Sequence, residues 1–161
     1  MTGRKTMLMA AAAALFAAQP ASADTVCEWM ELAGRLGAAS QGSATPQTPD
    51  QARVTTRTAL AMFEALNRID PRYRSYLSFP AAADPTASQD AAAATAAFKV
   101  LVSHYPAQRA AIEESYALAM STIADGPAKE AGRRLGEAAA EAAGAAGGID
   151  PAIAQAPYRP R

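Results

Sequence analysis

Apolar residues along this chain recur mostly at spacings of three and four, and prolines and glycines interrupt them at intervals. The densest stretch is Arg57–Leu77. There Ala61, Met62, Ala65, Leu66 and Ile69 fall on one helix face. Pro71 ends that helix, because it cannot donate a hydrogen bond and biases Asp70 away from helical angles. Arg72, Tyr73, Arg74 and Tyr76 follow in an extended segment. On this pattern the stretch is expected to belong to the central helix of an all-α domain, which opens with Thr48 as N-cap, Pro49 at the first helical position and Gln51 three residues after the cap, and runs to about Ile69.

The same spacing predicts four further helices. Val26–Leu36 is weakened by Gly34 and Gly37 and gives way to a polar linker over Ala38–Pro49. After a loop with three prolines, Asp70–Pro85, two caps compete for the third helix: Thr86 with Gln89, and Ser88 with Asp90. Ala94, Ala97, Phe98, Leu101, Val102 and Tyr105 make its stripe. Pro106 starts a fourth helix with Ile112, Tyr116, Ala119, Met120 and Ile123 inward, and Gly126 is its expected C-cap. Pro127–Ala143 is the fifth, ended by Gly144, Gly147 and Gly148. No segment alternates polar and apolar residues as a half-buried strand would. The expectation is an all-α fold of four to five helices, half of a helical bundle.

Composition adds a domain plan. Arg4 and Lys5, the apolar Met7–Ala18 and the small residues Ala21-Ser22-Ala23 have the three parts of a cleavable secretory signal. The plan is a signal peptide over 1–23, an α-helical domain over 24–148 and a Pro-rich tail over 149–161. The expected location is periplasmic or secreted, with no membrane association after cleavage. Losing Arg4 and Lys5 takes the basic count from 15 to 13 against 15 acids, about −2 for the mature chain. That balance excludes a nucleic-acid footprint, which needs a basic patch. Alanine makes up about a quarter of the mature chain, which favours helices but demands close packing, since each side chain buries little area. Trp29, Met62, Phe63, Leu66, Phe98, Leu101, Tyr105, Tyr116 and Met120 are left to fill the core.

Candidate chemistry is sparse. His104 is the only histidine, without partners at zinc-ligand spacing, and lies in the last turn of a helix where imidazolium favours the dipole. Glu113-Glu114 diverge on a helix, and Glu137 with Glu141 make a solvated i, i+4 pair. Cys27, the only cysteine, reads as a partly buried side chain, or else as a thiol free to pair with another chain. Gly132-x-x-x-Gly136 predicts a neighbouring helix lying close. Arg72, Tyr73, Arg74 and Tyr76 can bind an anion or planar partner, or can fold their rings back while the arginines stay in water.

The run Arg57–Tyr73, with Ala61-Met62-Phe63-Glu64-Ala65, Asn67 and Ile69-Asp70-Pro71-Arg72-Tyr73, resembles the "AMFDAxNAIDPRYxPY" segment of exported proteins related to vanadium-dependent haloperoxidases, in the type-2 phosphatidic acid phosphatase superfamily. Val100–Pro106 is similar to that family's "AAHRVLxxLFP". Ile123–Lys129 with Gly132, Gly136, Glu137, Ala138 and Ala139 is similar to its "IxDGxAKxxGIxLGExAA". The resemblance implies an all-helical fold and a parent chemistry of phosphate-ester hydrolysis, or of halide oxidation with vanadate. It carries no site over. The motifs K-x6-R-P, P-S-G-H and S-R-x5-H are missing, and Ala152 stands where Arg159-Pro160 would require the lysine. The implied role is a non-catalytic N-terminal scaffold of an exported haloperoxidase- or acid-phosphatase-like protein, with no catalytic, cofactor or metal residue of its own. Vanadate is implied only for a full-length relative. Its partner would be the missing C-terminal catalytic bundle, met by Met62, Leu66, Phe98 and Leu101, or a second copy joined through exposed apolar helix faces. The alternative is a complete periplasmic binding or adaptor module without enzymatic activity.

Overall fold

A computed structural model describes residues 22–41 and 49–146. The signal-peptide assignment, apart from Ser22 and Ala23 at the start of the first helix, the tail assignment and Thr48 as a cap lie outside those residues. The elements are α1 (Ser22–Gln41), α2 (Pro49–Ile69), α3 (Gln89–His104), a 3-10 turn (Pro106–Gln108), α4 (Arg109–Ser121) and α5 (Pro127–Ala146). Among the described residues the fold is all helical, without strands.

The centre is α3, not α2 as the stripe of α2 suggests. Ten of its sixteen residues are buried, including the unbroken run Ala91–Ala97. A helix apolar on all sides is a buried helix, and α1, α2, α4 and α5 all pack against this one. Alanine is what permits it, because four neighbours cannot approach one helix across large side chains. Looking for a one-sided stripe misses this, since Ala91, Ala92 and Ala93 fall outside it.

Helix α5 runs alongside α3 in the same direction. Gly132 lies against Ser88–Ala92, and Gly136 lies four residues further along both helices, against Ala92–Ala96. A Cβ at Gly136 would sit 2.5 Å from the Ala92 carbonyl oxygen. The small-residue spacing therefore marks a true backbone-to-backbone approach. At the same end the Ser88 N–H donates to the Ala128 carbonyl at 2.8 Å, stitching the start of α3 to α5.

Several boundaries differ from expectation for local reasons. Ser88 wins the competition to cap α3: the Ala91 N–H donates to its hydroxyl at 3.2 Å. Thr86 is instead held by Asp84, whose Oδ1 accepts from its N–H at 3.0 Å and from its hydroxyl at 2.6 Å. Helix α1 continues past Gly34 and Gly37 to Gln41, with the Gln51 side chain seated against Gly37. Gly126 does not end α4, which stops at Ser121. It takes φ +151°, a left-handed angle suited to glycine, and its carbonyl accepts from the Glu130 N–H at 3.2 Å to begin α5. Lys129 ties the end of α4 to the turn after it: its Nζ donates to Met120 O at 2.7 Å, to Ile123 O at 3.1 Å and to Asp125 Oδ1 at 2.8 Å.

The aromatic side of the core gathers around Tyr116. Its ring stacks on Phe98 at 4.3 Å and meets Trp29 edge-on at 6.5 Å. Its hydroxyl is 3.0 Å from that of Thr95, a buried residue of α3.

Candidate functional site

Three polar residues of α2, Glu64, Asn67 and Arg68, occupy spacings i, i+3 and i+4 at the border of its apolar face. Together they hold the chain that leaves the helix. Glu64 is 0% exposed, yet no Lys or Arg pairs with it among the described residues. Its Oε1 accepts from the Tyr76 N–H at 2.5 Å and the Leu77 N–H at 2.7 Å, and its Oε2 accepts from the Ser75 hydroxyl. A buried carboxyl is costly unless donors surround it, and here the loop supplies them.

Asn67 matches Tyr73 in both directions: its Nδ2 donates to the Tyr73 carbonyl at 2.8 Å, and the Tyr73 N–H donates to its Oδ1 at 3.0 Å. Arg68 donates to the Phe79 carbonyl at 3.1 Å, with its guanidinium 4.5 Å from the Phe79 ring centroid. At the start of the loop the Arg72 Nε donates to Asp70 Oδ2 at 2.6 Å. The segment 70–79 has no regular structure, but from Tyr73 to Phe79 side chains of one rigid helix fix its backbone.

The loop faces outward with what is left. Tyr73 is 69% exposed and Tyr76 83% exposed. Arg72 and Arg74 are exposed as well. The expectation that both rings fold back is half met. The Tyr73 ring is tilted against Phe63 at 6.2 Å, whereas Tyr76 is 83% exposed. A shallow groove lined by Phe63, Leu66, Asn67, Asp70, Arg72 and Tyr73 opens beside the loop. Two tyrosines, two arginines and an adjoining apolar floor can recognise a surface by charge and stacking.

The other singled-out residues are scattered. His104 is exposed at the end of α3, edge-on to Tyr105 at 5.4 Å. Partial burial lowers its pKa below the usual histidine value, Arg57 lowers it further and Asp50 opposes. The dipole argument for an imidazolium is therefore outweighed by desolvation and a neighbouring cation. Glu113 pairs with Arg109 at 3.3 Å and Glu137 with Lys99 at 3.1 Å, both at the surface, while Glu114 and Glu141 are exposed. Cys27 is exposed rather than partly buried. Among the described residues no three of His, Cys, Asp and Glu gather closely enough to hold a metal ion, and no helix is long and apolar enough to cross a membrane.

Met62 and Leu101, expected to face an absent bundle, are buried in this domain's own core. Leu66 and Phe98 are half-buried against it. The reason is the central position of α3, which turns both residues toward other helices of the same domain. Glu64 and Asn67 were not legible as loop holders from apolar spacing. The signal available was polar residues at i, i+3 and i+4 beside the apolar face, followed by a proline stop.

Compared with protein-family models, curated proteins and solved structures, the chain finds no match.

Proposed function

We propose that the chain is a helical docking domain without catalysis of its own, working through the loop 72–77. The observation that carries this is the grip of the buried Glu64 on Ser75, Tyr76 and Leu77 while Tyr76 itself stands in solvent. Holding a loop fixed through a buried carboxyl is a demanding arrangement, and it pre-orders the loop that displays Tyr73, Arg74 and Tyr76. The domain also fills its own core with Met62 and Leu101, which favours an adaptor that folds before it meets a partner.

A second reading gives the partner an identity. On the resemblance of Arg57–Tyr73, the domain serves as the N-terminal scaffold of an exported haloperoxidase- or acid-phosphatase-like protein, and the loop meets that protein's catalytic bundle. The sequence motif supports this reading; the burial of Met62 and Leu101 removes two of the four residues assigned to that contact.

A photo-crosslinking residue at position 76 separates docking from a passive surface. Exported extracts should give a discrete product from position 76, lost on Arg74→Glu, and none from an exposed control position on α5 such as Arg133. Equal products from both positions overturn the docking role. Peroxide-dependent halogenation or phosphomonoester cleavage by the purified chain overturns the non-catalytic role.

A further inference from the structure

Helices α1 and α4 both pack on α3 but leave a groove of about 620 Å3 between them. Trp29, Leu32 and Ala94 form its floor, and Leu118, Ala119 and Ile123 form one wall. Leu118 is 69% exposed, the one large aliphatic side chain so exposed among the described residues. It lies on α4, whose main packing partner is α3.

The direction of the walls follows from two hydrogen bonds. The Thr25 hydroxyl donates to Asp90 Oδ1 at 2.8 Å, placing the start of α1 beside the start of α3. The Gln108 side chain donates to the Leu36 carbonyl at 3.4 Å, placing the end of α1 beside the start of α4. The groove therefore runs from Asp24, Glu28 and Asp90 at one end to Arg35 and Ser115 at the other. The eleven residue steps from Asp24 to Arg35 rise about 16 Å, close to three helical turns.

The two ends differ in charge. Asp24 and Glu28 have no ion-pair partner among the described residues, while Arg35 is 3.7 Å from the exposed Glu31. We propose that the groove between α1 and α4 takes an amphipathic helix of a partner protein, about three turns long, with Leu-type anchors against Leu118 and Ile123 and Lys or Arg residues facing Asp24 and Glu28. A helix fills this gap as a missing member of the bundle would, lying between two helices that already flank α3. The charge of the occupant follows from the unpaired carboxylates. A second copy of this chain fits less well through α5, whose Lys129 and Arg133 are already paired with Asp125 and Glu130.

The test uses the purified chain and a synthetic 14-residue helical peptide with Leu at i, i+3, i+4 and i+7 and Lys elsewhere, beside its Glu-for-Lys counterpart. Calorimetry gives affinity, and the fluorescence of Trp29, the sole tryptophan, reports the site. The Lys peptide should bind and shift Trp29 emission, with about tenfold weaker binding to Leu118→Glu and about fivefold weaker binding to Glu28→Lys. The Glu peptide should bind at least about tenfold more weakly than the Lys peptide. Leu118 is exposed, so its variant should melt with the parent, which keeps a loss of binding distinct from a loss of fold. Equal binding of the two peptides overturns the proposal, as does unchanged affinity in Leu118→Glu. Failure of the Lys peptide, with self-association that Leu118→Glu abolishes, overturns it in favour of a second copy.

Discussion

Gly136→Ala should destabilise this domain although it improves helix propensity. Alanine in place of glycine within a helix is worth about 1 kcal/mol in its favour. At Gly136 the new methyl would stand 2.5 Å from Ala92 O, 2.8 Å from Thr95 Cβ and 2.9 Å from Ala96 N, where ordinary contact begins at 3.4 Å. Two of those three atoms belong to the backbone of α3 and cannot rotate away. Relief requires α5 to retreat by about 1 Å, and a gap of that size forfeits a quarter to a half of each dispersion contact along the seam. Overpacking of this kind costs about 1–3 kcal/mol, which exceeds or cancels the propensity gain. Gly144, on the same helix, meets nothing within 4 Å, so Gly144→Ala should show the gain alone. The propensity gain is common to both, so the two variants should differ by the overpacking cost, about 1–3 kcal/mol in urea unfolding followed by circular dichroism, or by about 4–12 °C in melting temperature. If Gly136→Ala stabilises the protein as Gly144→Ala does, α3 and α5 do not touch through their backbones and the fold described above is wrong.

Glu64→Ala should leave the Tyr76 and Leu77 N–H groups without their acceptor and cost about 1–3 kcal/mol; hydrogen exchange should report lost protection at those two amides first. Lys129→Met removes three donations at the end of α4 and should cost about 1–2 kcal/mol by chemical denaturation, whereas Asp125→Asn, at an exposed partner, should cost much less. His104 has its folded pKa below its unfolded value of 6.5, so its contribution is present above pH 6.5 and lost as pH falls through the folded value. NMR titration should place its midpoint below 6.5, and His104→Gln should flatten the fall in stability on the acid side of that pH.

The all-helical class was legible because alanine-rich segments with apolar spacings of three and four leave no alternative. The close approach at Gly132 and Gly136 was legible too, because small residues four apart have few other uses in a helix interior. What the pattern could not give was the order of the layers. A stripe such as that of α2 reads as a strong core signal, while Ala91–Ala97 reads as mere helix propensity; yet low bulk is what admits four neighbours, so the weaker stripe belongs to the inner helix. The candidate surface was half legible. Arg72, Tyr73, Arg74 and Tyr76 announced themselves by type, but their fixity depends on hydrogen bonds across as many as thirteen residues, which no local spacing encodes.

That division bears on how the Arg57–Tyr73 likeness should be weighed. Glu64 and Asn67 belong to the resembling run, and here both are consumed in holding a helix-to-loop exit. Met62 and Ala65 also belong to it, and both are buried core. Any helix that must turn a loop back along its own face needs an acceptor for loose N–H groups and an amide that can pair with a passing backbone, whatever the protein does. Residues of this kind serve a device of folding and carry no chemistry with them. Within the run, the exposed charged and aromatic side chains are those of Arg72, which is paired with Asp70, and Tyr73. A common function would therefore have to be demonstrated at those two positions and their neighbours Arg74 and Tyr76, where substitution alters recognition and leaves the helix exit intact.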